Sequence, residues 1–479
     1  MAITVLKTSF QKAQPKILHY RDRRNFNVHT FRGELKAELG DTSNYSDFEE
    51  KFLKVLDKHA PVKKKVVRAN DKPFMTKALR RAIMRRSSLR NKFLKYKSPD
   101  LDRAYKKQRN YTNRLLKKEK KRYLSNLDMK NITDNKKFWQ TMKPFFGNSG
   151  SVKSKITLVE GDEVISDEKK VADTFSDFFD QAVSSLDLKE NSDILNKVED
   201  QSDPVDKALH KFKDHPSIIE IKNQVVNDLN FSFSSVTEKE MMKEIEVLNT
   251  KKAGTFMNIP TKKLKDAKEE IVKPLTQIWN NEILIKMKFP SKLKLADITP
   301  LYKKLEAVYK KNYRPVSLLP VVSKIFERIM EKQVKSYINK HLSPYLCGYR
   351  KGYNSQYALI AMIEKWKKSL DTMDSQGNRG KFGAILMDLS KAFDTINHEL
   401  LVAKLGAYGF EKSALNIIMD YLSDRWQRTK VDTSFSDWKE LLCGVPQGSV
   451  LGPLLFNIYL NDLSFVLIKT RADHIYLLL

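Results

Sequence analysis

The sequence predicts an α+β protein whose N-terminal part is mainly helical and strongly basic. Three observations lead there. Apolar residues recur at helical spacing through long stretches, short apolar runs bounded by Pro and charge sit between residues 295 and 320, and Lys and Arg crowd into one segment. The chain has 479 residues and a formal net charge of +30. Its 41% hydrophobic content, with 25 Phe, 18 Tyr and five Trp, suffices for packed cores and excludes a disordered chain. The charge points to a polyanion, nucleic acid before membrane, because each cation set on a phosphate releases counterions. Two cysteines, Cys347 and Cys443, exclude a disulfide framework and a zinc site built on cysteine pairs. No apolar stretch reaches membrane-spanning length and "MAITVLKTSF" is no signal peptide, so a soluble, intracellular protein is expected, with nucleus and cytoplasm both open.

Residues 1–60 form an N-terminal segment. Between Lys63 and Arg122 there are 24 Lys and Arg against four acids, which concentrates most of the positive charge there. Leu79, Ile83, Leu89 and Phe93, then Leu101, Tyr105, Tyr111 and Leu115, keep helical spacing, and "KSPDLD" breaks it with Ser98 as N-cap and Pro99 in a first turn. A basic helical hairpin over 61–130 is expected. Its candidate nucleic-acid contacts are Arg80, Arg81, Arg85, Arg86, Arg90, Lys106, Lys107, Lys117, Lys118, Lys120 and Lys121. A solvated charged face is the plainer alternative, and nuclear import is a third reading of "KKEKKR". Residues 131–186, with clustered aromatics, read as a small helical unit, and polar residues 187–217 as a linker.

Order resumes near residue 236. Thr237 and Glu240 make a capping box before Met241, Ile245 and Leu248. "LADITPLYKK" and "NYRPVSLLP" read as strands, and "VVSKIFERIMEKQVKSYI" and "QYALIAMIEKWKKSL" as helices. Helical segments at 395–408 and 413–426 precede a hairpin near "RTKVDTSFSDWKELL". After "GVPQG", the spacing of Leu451, Leu454, Leu455, Ile458 and Tyr459 predicts a buried helix, with Pro453 in its first turn.

The apolar run Ala384–Met387 ends on a carboxylate, Asp388. Helix capping suits Asp394 better than Asp388, which lies too far ahead of the next helix. A hard-cation site is the better reading of Asp388, since Mg²⁺ takes one or two carboxylates and fills its octahedron with water and phosphate.

"LMDLSKAFDTINHELL", then "GVPQGSVLGPLLFNIYLNDL", with "NYRPVSLLP" and "LCGYRKGYNSQ" upstream, resembles the reverse transcriptase of a non-LTR retrotransposon of the jockey-like LINE kind. The resemblance covers roughly 236–470 and implies the fingers and an incomplete palm of a right-hand polymerase over 236–479. It implies Mg²⁺, two ions with Mn²⁺ as an alternative, on Asp388 and Asp473, and an RNA template, a DNA primer and deoxynucleoside triphosphates as partners. Leu389 would lend a carbonyl, and Phe393 would pack under the sugar and exclude a 2′-hydroxyl, with core packing as its plainer role. Gln447 and Gly448 would line the nucleotide pocket. Arg314, helped by Lys303 or Lys304, would grip the triphosphate, and Arg350 and Gly352 would touch template or nucleotide. His398 reads as a helix-start residue.

Several departures accompany the resemblance. Met257 stands where an acid is expected, and "RADH" puts His474 beside Asp473 where the family carries a second acid. That stretch is either a worn remnant of the Asp-Asp hairpin or unrelated residues after a frameshift. An endonuclease ahead of residues 1–60 and a thumb at the other end are also expected of the family and not seen. Two functions stay open: an RNA-directed DNA polymerase, expected to be defective in this chain, and a non-catalytic RNA- or DNA-binding remnant of a decayed element.

Overall fold

The structure, a computed structural model, describes residues 16–67, 72–126, 138, 139, 142, 145, 156–184, 203–225, 230–250, 259–372, 389 and 391–463. Asp388, Asp473, His474 and Met257 lie outside these. In chain order, β1 (Lys16–Arg21) precedes α1 (Val28–Glu38), α2 (Tyr45–His59), β2 (Val62–Val67), α3 (Lys77–Tyr96) and α4 (Pro99–Ser125). The hairpin β3 (Leu158–Glu160) and β4 (Glu163–Ile165) leads to α5 (Glu168–Ser184), α6 (Pro204–Lys211) and α7 (Pro216–Gln224). Then come α8 (Glu238–Val247), α9 (Thr261–Asp266), α10 (Lys268–Gln277), β5 (Leu295–Tyr302), β6 (Tyr313–Leu318) and α11 (Val321–Ile338). The rest are α12 (Ser355–Asp371), α13 (His398–Ala407), α14 (Lys412–Leu422), β7 (Arg425–Val431), β8 (Ser434–Phe435), β9 (Lys439–Leu441) and α15 (Gly452–Leu460). Helix and sheet are mixed, as an α+β class requires. Among the described residues no helix is long and apolar enough to cross a membrane.

The chain divides into two units, residues 1–22 with 62–154 and residues 23–61 with 155–479. In the first, β1 and β2 pair antiparallel. There α3 and α4 fold back on each other through a tight turn at Lys97, left-handed at φ 48°, whose N–H donates to Phe93 O at 2.7 Å. Leu79, Ala82 and Thr112 are buried at the seam, and the Thr112 hydroxyl bonds Ala82 O across it. Ser98 stands at the N-cap of α4 without a side-chain hydrogen bond, and Pro99 starts the helix.

The second unit is built on a five-stranded sheet in the order β6-β5-β7-β8, with β9 also paired to β7. β5 and β7 run parallel and the other pairs antiparallel. Its large core draws on α11, α13, α14 and α15, including Phe326, Ile418, Leu455 and Phe456. A smaller core joins Leu158, Val171 and Phe175 to Tyr313 and Val431 on the sheet.

Two stretches depart from the sequence reading. Residues 28–59 belong to the large core through Phe31, Leu35, Phe48, Phe52 and Leu56. Arg32 bonds both Glu269 and Glu270 at the start of α10, the latter at 2.7 Å. Helical spacing of aromatics in "YSDFEEKFLKVL" is what seats α2 there. Residues 204–217, read as linker, contain α6 and the start of α7, and Val205, Ala208, Ile218 and Ile221 enter the same core. Four apolar side chains among many charges suffice for two short helices once a core receives them.

The first turn of α15 has its donors met from elsewhere. Glu327, fully buried on α11, accepts from Val450 N and from Leu451 N at 3.5 Å, while its other oxygen accepts from Ser323 Oγ at 2.7 Å. Burial pushes this carboxyl up, and the hydroxyl, the two amides and the buried Arg425 guanidinium oppose that. Negative charge at a helix N-terminus also favours the helix. Removing it strands two amides and takes a favourable charge from the neighbourhood of the buried Arg425 guanidinium. Glu327→Ala is expected to cost the second unit about 3–5 kcal/mol in urea unfolding, and Glu327→Gln clearly less. A loss below about 1 kcal/mol for the alanine variant would show the cap to be dispensable.

Candidate active site

Three distant segments meet at the turn "GVPQG". Gly444 N donates to Ile396 O and Val445 N to Phe393 O, both at 2.8 Å, which ties the turn to the loop after Asp388. Ser317 N donates to Gln447 O at 2.8 Å, which ties it to β6. Both approaches need glycine. At Gly444, φ +81°, a Cβ would stand 2.7 Å from Asp394 O, and at Gly448, φ +133°, 2.4 Å from Ser317 O. Backbone cannot yield at such distances, and L side chains rarely adopt these angles.

Of the nucleotide-pocket candidates, Phe393, Gln447 and Gly448 lie at this junction. Arg314 lies on β6 opposite Leu301, exposed, three residues or about 10 Å along the strand from Ser317. Lys303 and Lys304 follow β5, exposed, and Lys303 N continues the ladder by donating to Asn312 O at 2.9 Å. Phe393 is half-buried, stacked on Phe456 at 4.6 Å and edge-on to Tyr349 at 5.7 Å. It therefore does pack against the core while its loop borders the turn. Leu389 is 45% exposed, and Gly352 has φ +87° with open space around it.

Arg350 differs. Its Nη1 donates to Ser343 O at 2.6 Å and Leu346 O at 3.2 Å, and the guanidinium lies 4.3 Å from the centre of the Tyr353 ring. The side chain is committed to its own loop, where the resemblance implied a contact with template or nucleotide.

Asp394 also differs from its expected part. The cap of α13 is Asn397, whose Oδ1 accepts from Leu400 N at 2.9 Å. The helix starts at His398, too far on for Asp394 to reach it. Both Asp394 oxygens instead lie 3.1 Å from Gln447 Nε2. Burial pushes the Asp394 carboxyl up to about 6, against the pull of Gln447 and Lys391. A raised carboxyl means the folded state holds a proton that the unfolded chain releases. This group therefore removes stability as pH rises from about 4 to about 6 and withholds it fully above that window. His398 begins the helix as read, with Nε2 2.7 Å from Gly444 O, and burial lowers its basicity.

Beneath the site, α15 ends in a buried polar hub. Asn461 Oδ1 accepts from Ser343 N at 2.7 Å, and its Nδ2 donates to His341 O and the Tyr408 hydroxyl. Lys404 and Asp462 pair at 2.6 Å, both nearly without exposure, and Lys404 also donates to Tyr459 O at 2.7 Å. Nothing in the spacing of "YLNDL" separates these from surface polar residues.

In the first unit the basic side chains stand along α3 and α4. Arg80, Arg81, Arg85, Arg90, Lys106, Lys107, Lys117, Lys118 and Lys121 are exposed, and Arg86 and Lys120 half-buried. Lys106 is paired with Asp102 at 2.7 Å, and Lys120 lies over the Phe74 ring. Among the described residues no group of three acids, histidines or cysteines could hold a metal.

Comparison with known proteins converges on one family. A family model described as reverse transcriptase (RNA-dependent DNA polymerase) matches residues 302–478. A probable RNA-directed DNA polymerase from transposon BS of Drosophila melanogaster is 25% identical over 262 residues, 52% of this chain and 28% of its own length. The RNA-directed DNA polymerase from mobile element jockey of the same fly is 26% identical over 247 residues, 51% of this chain and 26% of its own length. A Pol polyprotein from type-1 retrotransposable element R2 of Popillia japonica is 31% identical over 86 residues, 18% of this chain and 14% of its own length. The chain thus spans less than a third of the length of these curated relatives. Residues 302–478 match the reverse transcriptase family, and the chain is similar to the polymerases of the jockey, BS and X-element retrotransposons.

Proposed function

We propose that residues 236–479 are the fingers and part of the palm of an RNA-directed DNA polymerase, and that this chain binds template and deoxynucleoside triphosphate but does not extend primers at a useful rate. The observation that carries the binding half is the junction at "GVPQG", where the strand of Arg314, the loop of Phe393 and the turn of Gln447 are hydrogen-bonded to one another. Arg314 offers a planar, permanently charged donor fork for the triphosphate, with Lys303 and Lys304 adding charge nearby. Phe393, held between Phe456 and Tyr349, is a rigid ring to set against the sugar. Gly448 lets backbone stand where a side chain would fill the pocket.

Asp388, with the Leu389 carbonyl, and Asp473 are the candidate ligands for Mg²⁺ or Mn²⁺, which in this chemistry steadies charge on the transferring phosphoryl group. The defect lies at residue 474, where His stands in place of an acid. A neutral imidazole is a poor ligand for a cation that prefers oxygen, and misplacing reacting groups by about 1 Å can cost 10²-fold. Primer extension on an RNA template with Mg²⁺ or Mn²⁺ is expected to give no incorporation above background. Incorporation that disappears in Asp388→Ala would overturn the defect and leave a complete polymerase.

A second, compatible reading assigns nucleic-acid binding to α3 and α4, favoured by the row of exposed cations with few acids among them. If six or more phosphates are engaged, RNA affinity should fall by about 10³ or more between 50 and 200 mM salt. Replacing Arg80, Arg81, Arg85, Arg86 and Arg90 together by Gln should flatten that slope by roughly one for each phosphate no longer neutralised. An unchanged slope would return the charge to a solvated face.

A further inference from the structure

Asp394 has no part in the reaction outlined above, yet it is the one carboxylate among the described residues bonded to the turn at Gln447. Its own position is fixed. Asp394 N donates to Lys391 O at 2.8 Å, its carbonyl accepts from Cys443 Sγ at 3.2 Å, and Gly444 packs against its backbone. Gln447 is fixed from the other side by the Ser317 amide. Between these anchors the Gln447 side chain presents an amide whose two ends differ as donor and acceptor.

An ionised carboxylate accepts and never donates, so it sorts the two ends of that amide, drawing nitrogen to itself and leaving oxygen for another partner. We propose that Asp394 is a positioning residue for the nucleotide pocket, one that fixes the Gln447 amide in a single orientation so that its oxygen and remaining N–H meet the incoming nucleotide preorganised. The proposal rests on reading Gln447 and Gly448 as pocket wall.

The choice of residue supports this. Asparagine at 394 would also supply an acceptor, without an ionised group held away from water. It would equally supply a donor, and the Gln447 amide could then settle either way round. What aspartate adds is the sorting, obtained at the expense of stability, a pattern that marks sites shaped for function. The ionisable neighbours are consistent with a charged Asp394. Lys391 in its own turn favours the charge, the Cys443 thiol is pushed up to about 11 and stays neutral, and the buried His398 imidazole faces Gly444 O with its basicity lowered.

The test measures binding of a deoxynucleoside triphosphate to the full chain carrying an annealed RNA template and DNA primer, so polymerisation is not required. Asp394→Ala and Gln447→Ala should each weaken it about tenfold, near one charge-assisted hydrogen bond, and the double variant no further than either alone. Asp394→Asn, with a melting temperature at pH 7.5 no lower than the parent's, should fall between, which separates orientation from folding. Additive losses, or full affinity in Asp394→Asn, would overturn the sorting role. Arg314→Ala distinguishes the two levels. If it weakens binding while Asp394→Ala does not, the positioning role fails and the pocket stands. If Arg314→Ala and Gln447→Ala both leave affinity unchanged, the pocket reading fails and the positioning role with it.

Discussion

Backbone meeting backbone, without room for a single Cβ, is the constraint on which this unit depends. At Gly444 and Gly448 a methyl group would stand 2.7 Å and 2.4 Å from carbonyl oxygens of other segments. Carbonyls in a hydrogen-bonded loop and a strand cannot retreat as a flexible side chain would. Two positive φ angles and two missing side chains therefore let one turn bond to the loop of Phe393 and to the strand of Arg314. Motifs separated by more than a hundred residues become one surface by this means.

Such a junction needs a firm base, and the base is polar. Glu327 reaches from α11 to the start of α15, Asn461 ties the end of α15 to Ser343, His341 and Tyr408, and Lys404 and Asp462 pair beside it. A buried ion pair adds little net stability, since desolvation offsets attraction. Its effect is directional. Apolar contacts alone would let α15 slide or rotate, whereas these bonds are satisfied at one register. The N-terminal helices α1 and α2 add apolar mass on the side of α10 and couple to it through Arg32.

Much of this was legible in the sequence. Strands at "LADITPLY" and "YRPVSL", the capping box at Thr237 and Glu240, and the buried helix after "GVPQG" follow from periodicity and turn chemistry, which are local properties. What escaped is non-local. Glu327 lies in an amphipathic helix where a Glu reads as solvent-facing, and only the approach of α15 buries it. Asp394 looked like a cap because an Asp near a helix start usually is one, and its bond to a residue 53 positions away leaves no local trace. For Arg350 the resemblance implied a template or nucleotide contact, while its partners are carbonyls of its own loop. Residues 28–59 read only as part of an N-terminal segment because most of the core they join, and the Glu270 that Arg32 bonds, lie more than 200 residues onward.

The "GVPQG" turn is held rigid in the absence of any ligand. Residue-resolved amide hydrogen exchange on the free chain measures this directly, through the amides of Ser317, Val445 and Leu451, which donate to Gln447 O, Phe393 O and Glu327. Their exchange is predicted to be as slow as that of buried amides in α11, opening only with the unit as a whole. Exchange as fast as in exposed loops would mean that the turn is assembled by its ligand, and would contradict the account.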